Sequence, residues 1–307
     1  MIYMNNDLVS IIIPTYKRSD NLIIAIDSVL LQSYKNIEVI VVDDNDPNTE
    51  YRKITEKKML KYKKDSRVKY IKHKLNKNGA AARNTGIRNS KGLYIGFLDD
   101  DDYFERNKIT EQYTFLKKNP SIKCVSCSIY RNNRIVKQNF NNNTCIYDIM
   151  MMNFNPITST LLFERNALLE LSGFNESYKR HQDLEIMLRY LKKYELGYID
   201  KPLITMGINN GENMLNGVAF EALKKQFLNE FISYVSQIDI PNAKANIICK
   251  NYSLVCINYL KNHKWGNFFS CFIKSTIIYP VTFNKYFFKL SIAKCKEKIR
   301  RKDEKKF

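Results

Sequence analysis

The segment Gly92-Leu-Tyr-Ile-Gly-Phe-Leu-Asp-Asp-Asp-Asp-Tyr103 joins an apolar run directly to four consecutive carboxylates. Leu93 to Leu98, with aromatic and β-branched members, has the composition of a buried strand of about six residues. Side chains alternate along an extended backbone, so Asp99 and Asp101 are expected on one side and Asp100 and Asp102 on the other. Carboxylates this close repel one another unless a cation sits among them, and hard oxygen donors suit Mg²⁺, Mn²⁺ or Ca²⁺. A solvated acidic turn capping the next helix fits the same residues, and both readings stand on this segment alone.

Upstream, Val9-Ser-Ile-Ile-Ile-Pro14 reads as a buried first strand ended by proline. After the Thr15 to Arg18 loop, Ser19 or Asp20 can cap a helix in which Leu22, Ile26, Val29 and Leu30 recur at helical spacing. Glu38 to Val42 gives a second buried strand, followed by Asp43-Asp44-Asn45-Asp46-Pro47. Strand, helix and strand with short connections form a right-handed βαβ unit, and such sheets bind ligands at the carboxyl ends of their strands. The Pro14-Thr15-Tyr16 loop and the Asp43-Asp44 pair are expected at that edge. Thr49 to Lys64 is a lysine-rich helical segment with a solvated face, and Arg67 to Ile71 is a third strand. Asn76 to Gly79 is a turn, from which a helix starts at Ala80. Gly79 suits a tight turn or a close approach of backbone to ligand. Arg83, one turn into that helix, either reaches a phosphate bidentately or makes a surface ion pair.

Four motifs now stand in order: Ser10-Ile-Ile-Ile-Pro-Thr-Tyr16, Val41-Val-Asp-Asp44, Asn78-Gly-Ala-Ala-Ala-Arg-Asn-Thr-Gly-Ile87 and Tyr94-Ile-Gly-Phe-Leu-Asp-Asp-Asp-Asp102. Together they closely resemble the catalytic domain of family 2 glycosyltransferases, over roughly the first 200 residues. The resemblance implies a GT-A fold: an α/β, Rossmann-like, mixed and mostly parallel sheet flanked by helices. It further implies a nucleotide-diphospho-sugar donor, UDP-sugar favoured, and Mn²⁺ or Mg²⁺. By carry-over, Pro14, Thr15 and Tyr16 border the nucleobase, Asp44 beside Asp43 contacts uracil or its equivalent, and Gly79 and Arg83 lie near the diphosphate. Asp99 and Asp101 become the outer members of a DxD pattern, with Asp101 the favoured metal ligand, Asp99 its companion and Asp100 near the ribose.

Further along, Ile122 to Tyr130 reads as a strand, Arg131 to Asn143 as a polar hairpin or loop, and Met150 to Met152 as core. Ile157 to Phe163 reads as another strand, and Arg165 to Leu171 as a short helix ended by Gly173-Phe174. Asp183 then opens a helix, placed either to cap it or to point into a cleft. Gly173-Phe174, Gln182-Asp183 and the apolar helix after them resemble the family's acceptor-side motif, which makes Asp183 the general base. Gln182 stands where the family often has Glu. His181 beside it can tune this base or touch substrate, but adjacent position alone favours a structural or solvent-facing role. Gly197 to Met206 is a last strand, and Gly207 to Gly217 a loop suited to folding over donor. The chain shows no QxxRW-type motif of processive synthases, so transfer of a single sugar of hexosyl type is expected, to a glycan or lipid-linked acceptor of capsule, lipopolysaccharide or other surface polysaccharide.

The hydrophobic fraction of 44% and charged fraction of 26% place the 307-residue chain among ordinary globular proteins. The expected division is a catalytic domain at 1–217 and a helical C-terminal region at 218–307 with a basic tail. The formal net charge of +19 calls for an anionic partner or reflects lysine-rich composition. Much of the excess lies in Arg52 to Lys77 and Lys285 to Lys306. No nucleic-acid-binding motif accompanies it, so nucleic acid is not an expected partner, although a basic nucleic-acid binder and a catalytically silent sugar-nucleotide binder are the alternatives to an enzyme. An anionic membrane surface suits the tail from Asn284, where Tyr286, Phe287, Phe288, Leu290 and Ile292 mix with lysines, and a solvated or packed helix fits the same residues. The run Asn267 to Phe283 is too broken by Lys274 and Pro280 to cross a bilayer. Seven scattered cysteines without a leader point to a reducing cytosol, with the protein cytoplasmic or peripheral on the inner membrane face. Cys124-Val-Ser-Cys127 is read as structural, because a lone pair supplies half of a closed zinc site.

Overall fold

A computed structural model of the chain describes residues 7–17, 21–132, 134–138, 140–207 and 215–303. The expected caps Ser19 and Asp20, and most of the loop between Gly207 and Gly217, lie outside these residues. Two compact units emerge: 1–142 with 154–210, and 143–153 with 211–307.

The first unit carries β1 (Val9–Thr15), α1 (Leu22–Leu30), β2 (Ile37–Asp43), α2 (Glu50–Met59), β3 (Val68–Lys72), α3 (Gly79–Asn89), β4 (Tyr94–Phe97), β5 (Tyr103–Phe104), α4 (Lys108–Lys118), β6 (Cys124–Arg131) and β7 (Arg134–Val136). The chain continues through α5 (Cys145–Met150), which belongs to the second unit, to β8 (Leu162–Glu164), α6 (Arg165–Glu170), α7 (Gln182–Leu191) and β9 (Leu196–Met206). One mixed sheet runs β3-β2-β1-β4-β8-β6-β9-β5, with β7 closing a hairpin on β6. Strands β3, β2, β1 and β4 are parallel, as are β6 and β9, whereas β8 and β5 pair antiparallel with their neighbours.

Alternation along the first strands decides what packs where. Val9, Ile11, Ile13, Val39 and Val41 bury in one cluster with Leu22, Ile26 and Val29 of α1. Ile12 faces the other way, onto α3, where a Cβ added to Gly86 would lie 2.3 Å from its Cγ2. That close approach, with Ala80 to Ala82 all buried, seats α3 tightly against β1. Thr15 pairs with Asp43 and Asp43 with Lys72, so three strands end together.

One expected strand is largely replaced. Thr158–Thr160 forms a 3₁₀ turn and only Leu162–Glu164 is extended. β-Branched threonines suggested a strand, but Thr160 Oγ1 donates to the Ile157 carbonyl at 2.7 Å, the local bond by which such residues compete with a ladder. Cys124 and Cys127 are buried in β6, and burial raises both thiols above their ordinary range.

The second unit holds α5, α8 (Val218–Phe231), α9 (Ala243–Lys261), α10 (Trp265–Ile278) and α11 (Pro280–Asp303). Its core gathers Val255, Cys256, Tyr259, Cys271, Phe283 and Phe287. Asn251 Nδ2 donates to the Met150 carbonyl at 3.1 Å, tying α9 to α5. No helix among the described residues is long and apolar enough to cross a membrane.

Lys224 of α8 is 1% exposed, with its Nζ over the rings of Phe220 and Phe227 at 5.4 and 5.9 Å. Burial first, then the charge of Lys250, lowers its ammonium from 10.5 to about 7. Between these values the unfolded chain binds a proton that the folded chain does not, so stability rises with pH across the window. Below about 7 both states are charged and the full cost of burying the ammonium remains. Lys224→Met is therefore expected to stabilise the protein most at and below neutrality, with the advantage shrinking by up to ~1.4 kcal/mol per pH unit toward 10.5. Paired melting curves across that range check it, and a pH-independent difference would exclude a titrating buried lysine.

Candidate active site

Strand β4 stops at Phe97, and the Asp102 N–H donates to the Asp99 carbonyl at 3.0 Å, so the four aspartates form a turn. This corrects the alternation expected for an extended backbone. Asp99, Asp101 and Asp102 each bring a carboxylate oxygen within 4.8 Å of the other two, a grouping of acids able to hold a metal ion that no other acids, histidines or cysteines form among the described residues. Asp100 turns away and accepts from Thr15 Oγ1 at 2.7 Å, pinning the end of β1 to the acidic turn.

Asp102 is 3% exposed and accepts from Ser159 Oγ at 2.8 Å and from the Gly207 N–H at 3.1 Å. Burial, then the charge of Asp99 and of Asp101, pushes its carboxyl up to about 7. Three carboxylates held that close, one of them so reluctant to ionise, have the donor chemistry of a hard divalent cation site. Asp102 was missed in the sequence because strand alternation placed it opposite Asp99. Turn formation by consecutive aspartates was the available signal.

Arg83, 8% exposed on α3, joins this turn to α7. Its Nη2 donates to Asp99 Oδ1 at 2.6 Å and to Thr158 Oγ1 at 3.3 Å, and its Nη1 donates to Gln182 Oε1 at 2.8 Å. The guanidinium carbon lies 5.6 Å from the Phe174 ring centroid, and Nε is buried without a hydrogen-bond partner. Gly79 leaves room for this pair, since an added Cβ would sit 3.1 Å from Arg83 Nη1 and 3.2 Å from Gln182 Oε1.

Asp183 is half-buried in the first turn of α7, where its Oδ1 accepts the Leu184 N–H at 2.9 Å. His181 stands at the N-cap position in a left-handed conformation, φ 62°, which is uncommon outside glycine but which histidine adopts more often than most residues. Burial raises the Asp183 carboxyl above its ordinary range, opposed by the Leu184 bond and the Arg83 charge. A recess of about 120 Å³ is lined by Arg83, Asp99, Thr158, His181, Gln182 and Asp183. The structure thus brings Asp99, Arg83 and Asp183 to one opening.

Asp43 and Asp44 lie at the end of β2 with their carboxylates already engaged. Asp43 pairs with Arg52 Nε at 3.0 Å and accepts from Tyr70 and Asn45. Asp44 accepts from His73 Nδ1 at 2.7 Å, Asn76 Nδ2 at 2.8 Å and the N–H groups of Lys77 and Asn78, both at 2.9 Å. It therefore anchors the 73–78 loop that leads into α3. Pro14 and Tyr16 are half-buried beside this edge and Thr15 is buried; the Lys17 ammonium stands 5.1 Å from the Tyr16 ring centroid. Arg52 and His73, both buried and both holding these aspartates, carry no sequence signature that separates them from surface residues of a basic segment.

Residues 10–197 match Glycosyl transferase family 2. An uncharacterized glycosyltransferase of Rickettsia conorii is 33% identical over 214 residues, 68% of this chain and 34% of that protein, so the chain spans about a third of that relative's length. The Escherichia coli UDP-Glc:alpha-D-GlcNAc-diphosphoundecaprenol beta-1,3-glucosyltransferase WfgD is 30% identical over 232 residues, 75% of this chain and 88% of that enzyme. Staphylococcus aureus TarS 1-349, solved with UDP-GlcNAc, superposes with a TM-score of 0.65 at 20% identity, covering 86% of this chain and 79% of that one, which supports the GT-A-like fold. With the family matched across most of the sheet and the acidic turn, the chain belongs to glycosyl transferase family 2.

Proposed function

We propose that this protein is a metal-dependent inverting glycosyltransferase. It moves one sugar, of hexosyl type, from a nucleotide-diphospho-sugar, UDP-sugar favoured, to a hydroxyl of a glycan or lipid-linked acceptor in surface-polysaccharide synthesis. The observation that carries this reading is the single recess in which Asp183 and Asp99 meet across Arg83, beside the Asp99, Asp101 and Asp102 trio.

The trio supplies the ligands for Mn²⁺ or Mg²⁺, with Asp101 and Asp99 as the DxD pair. When bound, such an ion neutralises negative charge that builds on the departing diphosphate. Arg83 adds a fixed cation to the same task, with Gly79 opening space for it. Pro14, Thr15 and Tyr16 border the nucleobase, Asp43 and Asp44 hold the adjoining loop against it, and Asp100 lies toward the ribose. Asp183 removes the acceptor hydroxyl's proton while that oxygen bonds to the anomeric carbon. The bond from that carbon to the diphosphate oxygen breaks with its electron pair, and the nucleoside diphosphate leaves. Burial makes Asp183 a stronger base than a solvated aspartate, which suits the role. We place this activity on the cytoplasmic side of the membrane, with the basic C-terminal tail toward anionic lipid.

A panel of UDP-, GDP- and dTDP-sugars, assayed for Mn²⁺-dependent hydrolysis, tests the assignment. Cleavage of one nucleotide class that stops on chelation is expected; donor binding without turnover under any acceptor would leave a silent binder.

A further inference from the structure

Helix α10 buries one face and leaves the other open. Phe268, Cys271 and Phe272 point into the core of the second unit. Trp265, Phe269, Ile273 and Ile277, four residues apart and so on one side of the helix, are 54%, 54%, 53% and 75% exposed. Ile278 at the end of α10 and Val281, Phe288 and Ile292 of α11 are also exposed. A row of large apolar side chains left exposed along the whole of one helix face marks an interaction site.

Charge selects the partner. Helix α10 contains no acidic residue, its one charged side chain being Lys274. Lys285, Lys289 and Lys296 are exposed among the apolar residues of α11. A second copy of a chain with net charge +19 would bring like charge to this face, whereas anionic headgroups complement it. Length selects the mode. Fourteen residues span about 21 Å, short of the ~30 Å hydrocarbon core, so the helix lies along a bilayer and does not cross it. We infer that the Trp265, Phe269, Ile273 and Ile277 face of α10 is a docking surface that embeds in the headgroup region of an anionic bilayer. This deepens the proposed placement at anionic lipid by assigning the contact to an apolar helix face ahead of the tail, and it is independent of the sugar-transfer chemistry.

Trp265 is the chain's only tryptophan, so its emission reports on this face without mutation. The full-length protein is titrated with phosphatidylcholine vesicles, with and without phosphatidylglycerol. With phosphatidylglycerol, a blue shift and quenching by brominated acyl chains are expected; pure phosphatidylcholine should give little of either. The F269S/I273S/I277S variant, with far-UV circular dichroism confirming its fold, should lose at least about tenfold in vesicle co-sedimentation. K298Q/R300Q/R301Q/K302Q should lower affinity in a salt-dependent way yet keep the Trp265 shift at saturating lipid. Sedimentation with anionic vesicles but unshifted, unquenched Trp265 would overturn the α10 assignment and leave the tail as the contact. No sedimentation at all would overturn both. A lipid-free blue shift that grows with protein concentration, matched by a dimer mass in sedimentation velocity, would give the face to a second copy.

Discussion

Asp101→Ala is expected to abolish Mn²⁺-dependent binding of the nucleotide-sugar. Asp99, Asp101 and Asp102 supply three oxygens inside one 4.8 Å group, and removing one leaves two carboxylates whose mutual repulsion is relieved by protonation as easily as by an ion. The loss should exceed the roughly 10–100-fold that an outer-shell change costs a metal site. Calorimetric titration of Mn²⁺ with UDP into wild type and variant measures it, and near-normal binding by the variant would remove the acidic turn as a metal site. Asp102→Asn is the informative partner. The amide can still accept from the Gly207 N–H and donate to Ser159 Oγ, so the turn keeps its shape while losing one charge. A large loss of Mn²⁺ affinity in that variant assigns Asp102 to the ion, and unchanged affinity assigns it to holding the turn.

Much of this site was legible in the sequence because its parts obey local rules. Apolar β-branched runs fixed β1, β2 and β4, and parallel register brings Thr15 and Asp43 to one edge beside the residues after Phe97. Asn78-Gly79 before an alanine-rich segment marked α3 and so placed Arg83. What could not be read was settled by tertiary contacts. The Thr158 to Thr160 turn is held by Ser159, which accepts from the Asp99 N–H and donates to Asp102, partners 60 and 57 residues away. Four donors from residues 73–78 hold the Asp44 carboxylate, a set of bonds that no local pattern announces. Arg52 sits in a segment whose composition reads as solvated, and it is buried by neighbours that no periodicity specifies.

Asp183→Asn is expected to leave donor affinity near normal and to lower kcat by roughly 10²–10⁴-fold, the range for losing a general base. The substitution preserves size and the bond from the Leu184 N–H, so α7 and the Arg83 to Gln182 bridge stay in place. Only the capacity to take a proton is removed. The pH profile separates this from a structural defect. Burial raises the wild-type carboxyl, so kcat/KM should fall with decreasing pH through a value above the ordinary carboxylate range. The base works only when ionised, and the asparagine variant should lack that acid limb altogether. Arg83→Lys supplies the opposing case: its charge remains but the fork joining Asp99 to Gln182 is lost, so donor binding should weaken while the acid limb survives. Turnover retained by Asp183→Asn, or an acid limb unchanged in it, would move the proton transfer to another group and leave Asp183 as part of the helix start.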